Sequence, residues 1–74
     1  MQVTVKLFAN FRNGRFNKAE QDFPEGTQCR RIVAELGIAQ HEIGIVMING
    51  RHGMLEQTLF AGDVLSLFPL LGGG

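Results

Sequence analysis

Helical spacing of apolar residues occurs in one segment of the chain. Cys29, Ile32, Val33 and Leu36 fall at i, i+3, i+4 and i+7, a narrow stripe, with Arg30, Arg31 and Glu35 on the other faces. One such stripe covers one face of one sheet, so the economical solution is a two-layer α+β domain with a single main helix across a mixed sheet. The chain is 74 residues long, enough for one small domain that buries only about 60% of its unfolded surface. Its single cysteine, Cys29, rules out the disulfide framework that reinforces many small secreted domains. Packing must hold it together.

The remaining segments read as strands and turns. Val3, Val5 and Leu7 alternate with Gln2, Thr4 and Lys6, the period of a half-buried strand. Asn13-Gly14 is a favoured turn pair, and the polar stretch from Phe16 to Phe23 returns as a second strand whose polarity suits an edge. Pro24-Glu25-Gly26 breaks the chain, Thr27 is the expected N-cap of a helix of about three turns, and Gly37 stands where a left-handed residue would stop it. Ile45 to Ile48 forms a third strand ending at the Asn49-Gly50 turn, with Arg51 to Leu55 as a short returning strand. After Gly62-Asp63, Leu65 and Leu67 alternate with Val64, Ser66 and Phe68. Pro69 has no amide for a ladder and is expected to end the pairing. This order fits a β-grasp of four to five strands with the first and last strands parallel at the centre. Residues 1–68 form the domain, and residues 69–74 an extended C-terminal tail.

Composition removes several function classes. Seven Lys and Arg balance seven Asp and Glu for a net charge of +0, against nucleic acid as the main partner, since that affinity rests on cations neutralising phosphates. No signal-peptide pattern opens the chain and no apolar run approaches the roughly 20 residues of a membrane span, so a cytoplasmic, reduced setting is the default expectation. His41 and His52 are eleven residues apart with no Cys or carboxylate at ligand spacing, which predicts surface histidines and no metal site. Cys29 reads as a small buried hydrophobe, with a thiol activated by the helix N-terminus as the alternative. Lys6, Arg12, Arg15, Lys18, Arg30 and Arg31 all lie in the first half, either as solvated surface or as a local positive patch.

The chain holds ten glycines, and the last three residues are Gly72, Gly73 and Gly74. At an average glycine usage of about 7%, a chain ends in three roughly once in three thousand. No helix follows them, so they are not a phosphate-binding loop. They do suit a different use. Without Cβ atoms they thread a narrow channel, and the six residues from Pro69 to Gly74 reach at most about 20 Å from the domain. The terminal carboxylate is ionised at neutral pH and is a poor electrophile, so acyl chemistry there requires activation, for instance as an acyl-adenylate.

The sequence resembles the ubiquitin-like sulfur carriers of the MoaD and ThiS family nearly end to end. Val3 to Arg12 is similar to the MoaD opening, where a strand ends in Leu-Phe-Ala and an Arg follows. Asn49-Gly50 matches the family's Val-Asn-Gly turn, and Glu56, Leu59, Gly62 and Asp63 match its Asp-x-x-Leu-x-x-Gly-Asp pattern with Glu for Asp. Phe68-Pro69-Leu70-Leu71-Gly72-Gly73-Gly74 matches Phe-Pro-Pro-Val-x-Gly-Gly in spacing, with Leu70 where a second Pro is common and Gly72 at a small-residue position.

The resemblance implies a function without side-chain catalysis. Gly74 would be adenylated by an ATP-consuming, ubiquitin-activating-type adenylyltransferase (MoeB/ThiF-like), and sulfur would then replace the AMP. The resulting thiocarboxylate would donate sulfur to a cofactor precursor, molybdopterin being favoured by the Leu-Phe-Ala start and Phe-Pro ending. Gly72, Gly73 and Gly74 would thread the partner's active site. The carrier would bind no cofactor of its own, and its acceptor partner would be a synthase such as the molybdopterin synthase large subunit. Thiamine thiazole or cysteine synthesis, and a ubiquitin-like modifier conjugated through Gly74, are the alternatives.

Strand alternation adds an expectation from the residues themselves. With Val3, Val5, Leu7, Leu65 and Leu67 facing the helix, Phe8 and Phe68 face away from it and, on parallel neighbours, meet beside the tail. Unless a loop or a register shift buries Phe8, Phe8, Phe68, Pro69, Leu70 and Leu71 form a partner-binding surface.

Overall fold

A computed structural model describes residues 1–70. Strands β1 (Gln2–Leu7) and β2 (Lys18–Asp22) are followed by helix α1 (Cys29–Glu35), strand β3 (Ile43–Ile48), the two-residue β4 (Arg51–His52) and β5 (Val64–Pro69). They form a five-stranded sheet in the order β2-β1-β5-β3-β4. β1 and β5 are parallel at the centre, with Val5 beside Leu65 and Leu7 beside Leu67, and the other pairs are antiparallel. The β-grasp and the edge position of the polar second strand are therefore as the sequence predicts.

The core lies between α1 and one sheet face. Val3, Val5 and Leu7 of β1, Leu65 and Leu67 of β5, and Cys29, Ile32 and Val33 of α1 have no accessible surface. Val46 and Ile48 of β3 and the loop residues Phe11, Phe23, Ile38 and Leu59 complete it.

Four local features differ from the sequence reading. Helix α1 has 7 residues rather than three turns, and Leu36 is its half-buried C-cap. Thr27 is not the N-cap: its hydroxyl donates to the Pro24 carbonyl at 2.6 Å, and Gln28 in extended conformation takes the cap position. The first helical amides are satisfied from a distant segment instead, Cys29 N donating to Gln57 O at 2.9 Å and Arg30 N to Leu55 O at 2.7 Å. The same segment explains the short β4, because residues beyond His52 turn away to cover the helix start.

The helix C-terminus is as expected. Gly37 adopts φ +74°, and the amides of Gly37 and Ile38 donate to the carbonyls of Ala34 and Val33, the paired bonds of a Schellman stop. Arg15 adds a cation there, its Nε donating to Leu36 O at 2.9 Å.

Pro69 does not end the ladder. It belongs to β5 opposite Ile43, and the next amide, Leu70 N, donates to Glu42 O at 2.9 Å. Backbone groups of successive strand residues point to opposite neighbours. Val64 bonds towards β3 through Asn49, so Pro69 faces the β1 side, beyond the last β1–β5 pair at Leu7 and Leu67, where no amide is needed.

Candidate functional site

The end of the sheet from which the C-terminal segment leaves is built by three neighbouring elements. Phe8 follows β1 in extended conformation (φ −126°, ψ 155°), so its ring lies on the face opposite Leu7. Phe68 in β5 lies on the same face, since Leu67 points into the core. The two rings stack with centroids 4.1 Å apart and planes 11° apart. Ala9 then takes φ +52° and starts a 3-10 turn over Ala9–Arg12 that reverses the chain. This turn carries Arg12 back, so that its Nε donates to Leu7 O at 2.7 Å and its guanidinium carbon stands 5.3 Å from the centre of the Phe8 ring. Such a cation–aromatic contact contributes about 0.5–1 kcal/mol at an exposed site.

On the other side of Phe68, β3 supplies Ile45 as its direct cross-strand partner. Ile45 is 43% exposed and Leu70 64% exposed. Together with Phe8, Ala9, Gly44, Phe68 and Pro69 they line a groove of about 320 Å³. Gly44 is the extra residue of a bulge between Ile43 and Ile45. A Cβ there would lie 2.7 Å from Pro69 O and 2.9 Å from Leu70 N, so the bare backbone of Gly44 lets the end of β5 approach.

The structure thus brings Phe8, Phe68, Pro69 and Leu70 to one place, with both rings half-buried by their stacking. Leu71, Gly72, Gly73 and Gly74 lie outside the described residues. Ile45 and Gly44 belong to the surface but are missed by sequence reasoning. The available signal is the unbroken apolar run Ile45-Val46-Met47-Ile48. Val46 and Ile48 fill the core while Ile45 and Met47 point to the other face, and apolar residues on both sides of a strand mark a second covered or contacting face.

The other candidates fall elsewhere. His41 and His52 are both exposed, and no group of three His, Cys, Asp or Glu capable of holding a metal occurs among the described residues. Cys29 is fully buried, and desolvation, with a smaller contribution from Glu56, pushes its thiol up to about 11. This overturns the activated-thiol alternative. Among the described residues no helix is long and apolar enough to cross a membrane.

The motif residues at the far end of β5 have an architectural task. Asn49 in left-handed conformation (φ +54°) accepts from Val64 N at 2.8 Å and donates to Asp63 Oδ1 at 2.9 Å. Asp63 Oδ2 accepts from Phe60 N at 2.8 Å, and Leu59 is buried beneath. A polar hollow at this end is lined partly by these same groups.

A single helix across a five-stranded sheet with a parallel central pair defines a ubiquitin-like β-grasp protein. The profile of the ThiS family matches residues 5–74, and the chain belongs to that family. Solved structures agree on the fold. A Pyrococcus furiosus protein described as a candidate molybdopterin converting factor subunit 1 is 28% identical, with a TM-score of 0.76 over 93% of this chain and 97% of its own. Small archaeal modifier protein 1 of Haloferax volcanii is 23% identical, with a TM-score of 0.73 over 92% of this chain and 95% of its own. Subunit 1 in the complex of subunits 1 and 2 of molybdopterin-converting factor from Helicobacter pylori is 23% identical, with a TM-score of 0.65 over the whole of both chains. A comparison with curated proteins finds no match.

Proposed function

We propose that this chain is a sulfur carrier whose Gly74 carboxylate is adenylated at the expense of ATP and then converted to a thiocarboxylate that supplies molybdopterin synthesis. The observation that carries the reading is the junction of the apolar groove and the chain exit: Leu70 lines the groove, and four residues separate it from the terminal carboxylate. An enzyme that grips the groove therefore holds the carboxylate within about 14 Å of its grip. Membership of the ThiS family and likeness to a candidate subunit 1 of molybdopterin converting factor support the carrier class.

The chemistry asks little of the carrier's side chains. The carboxylate attacks the α-phosphorus of ATP and releases pyrophosphate, and the mixed anhydride makes the glycine carbonyl electrophilic. A sulfide-level sulfur then displaces AMP. The adenylyltransferase supplies the phosphate-binding and metal groups, while a synthase partner, placed as subunit 2 is beside subunit 1 in the Helicobacter pylori molybdopterin-converting factor complex, receives the sulfur. A reaction in the cytoplasm, where thiols stay reduced, fits a chain with one buried cysteine.

The test is the intact mass of the chain after incubation with its activating enzyme, ATP and a sulfur donor. Exchange of one oxygen for sulfur at Gly74 is expected, and a Gly74 deletion should abolish it. An unchanged terminus with an enzyme proven active on it refutes the reading. The likeness to an archaeal modifier protein supports a second reading, conjugation through Gly74, which the same experiment would register as an amide-linked adduct.

A further inference from the structure

The open face of the sheet is charged as well as apolar, and the charges are sorted by end. β1 and β2 set Lys6 directly opposite Lys18 at the end where the C-terminal segment leaves, whereas Glu20 faces Thr4 and Asp22 faces Gln2 towards the other end. Two like charges directly opposite destabilise a strand pair, so this arrangement opposes the stability of the isolated fold. Arg12 adds a third cation beside Phe8. Its Nε is engaged by Leu7 O, which fixes the guanidinium while leaving its two terminal nitrogens to donate outward. Among the described residues none of the three has a carboxylate at ion-pairing distance; the pair that forms is Arg31–Glu35 on α1. Glu42, whose carbonyl receives Leu70 N, has its carboxylate turned onto the Ala39 amide.

We infer that this end of the sheet docks an acidic segment of the enzyme that activates the terminus. That segment places an apolar side chain in the groove between Ile45, Phe68 and Leu70 and a carboxylate against the terminal nitrogens of Arg12. The inference rests on the carrier function proposed above and names the chemistry of its partner. The argument is charge complementarity. In a chain of zero net charge, three unpaired cations beside an apolar groove draw in an acidic surface and orient it. Arg12 is pre-positioned for the two parallel hydrogen bonds that an arginine makes to a carboxylate. Lys6 and Lys18 act earlier, through the field they set up during encounter.

The experiment measures KM for the carrier, kcat, and direct binding with the cognate adenylyltransferase over a salt series. The variants are Lys6→Glu, Lys18→Glu, Arg12→Gln and, at the far sheet edge, Arg51→Glu. The expected result is a KM for the two Lys variants raised about tenfold or more at low salt, converging with wild type at high salt, with kcat retained. Arg12→Gln should raise KM with less salt dependence, and Arg51→Glu should leave it unchanged. Melting curves near wild type would show that the variants are folded. If wild type is activated while the Lys and Arg12 variants keep its KM and salt slope, the docking inference fails and the carrier reading stands. If Arg51→Glu raises KM as much, the effect is one of net charge and the inference also fails. A wild-type chain neither bound nor activated overturns both.

Discussion

Replacing Gly44 by Ala isolates the contact that directs the C-terminal segment. The Cβ would lie 2.7 Å from Pro69 O, 2.9 Å from Pro69 C and 2.9 Å from Leu70 N, whereas carbon contacts settle near 3.5–4.0 Å. All three neighbours are backbone, so no rotamer change relieves the overlap and β3 and β5 must part locally by roughly 0.6–1.3 Å, the gap between those two ranges. The bond from Leu70 N to Glu42 O at 2.9 Å spans this gap. Overpacking costs about 1–3 kcal/mol and a lost hydrogen bond about 0.5–1.5. The reduced freedom of the unfolded chain returns about 0.4–1. The central values of these ranges give a net loss of about 2 kcal/mol, or a drop in Tm of about 9–18 °C for a domain of this size. The variant should still fold, because total stability at ordinary values per residue is about 4–11 kcal/mol.

Thermal unfolding gives the stability change, and amide hydrogen exchange localises it. Leu70 should lose protection while Leu65 and Leu67, deeper in β5, keep theirs. Gly53→Ala is the comparison: there the close atoms belong to the side chains of Ile48 and Gln57, which can rotate, so a smaller loss is expected. Rates of Gly74 activation should fall further for Gly44→Ala than its folded fraction explains, since misplacing a reacting group by about 1 Å costs up to about 100-fold. A Gly44→Ala chain that melts with wild type and still protects Leu70 would refute the steric account.

Three other outcomes are expected. Phe68→Ala removes a stack contributing about 0.5–1.5 kcal/mol from a half-buried position, so partner binding should weaken with modest loss of stability by calorimetry; severe unfolding would place Phe68 in the core instead. Asn49→Ala should destabilise by about 2–3 kcal/mol in denaturant titration, because it breaks two side-chain bonds at the start of β5 and strains a left-handed residue; Asn49→Gly should recover the strain but not the bonds. The Cys29 thiol is raised from 9.0 to about 11 in the fold, so between those values the unfolded chain ionises first and stability should fall as pH rises, a slope absent from Cys29→Ala. A native thiol that reacts with disulfide reagents as fast as the unfolded one would contradict its burial.

The fold was legible because period-two and period-3.6 patterns do not overlap in this chain: Val3-Val5-Leu7 and Leu65-Leu67 can line a face only as strands, and Cys29-Ile32-Val33 only as a helix. Long-range capping was not legible. The carbonyls of Leu55 and Gln57 that hold the helix start lie more than twenty residues away, so Thr27 looked like the local solution to a need met elsewhere. Likewise Pro69 reads as a terminator until the sheet order shows which neighbour its missing amide faces. At the site, alternation brought Phe8 and Phe68 together, but Gly44 carries no pattern, since its importance comes from a bulge defined by pairing with β5.

Two physical tasks are divided between the two ends of β5. Asn49 and Asp63 fasten the start of β5 through Val64 and Phe60, while Gly44 and Glu42 admit and bond its end at Pro69 and Leu70. Between these anchors β5 is paired on both sides, with β1 and β3. Its exit is therefore fixed relative to the Phe8–Phe68 stack before any partner arrives. A partner that seats the groove need not order the end of β5, and each residue it would otherwise order costs about 1–2 kcal/mol of backbone entropy. A β5 frayed back to Leu67 would leave Phe68, Pro69 and Leu70 to be ordered, consuming about 3–6 kcal/mol of docking energy. Loosening either anchor should thus weaken activation through KM even where no contact with the partner is touched.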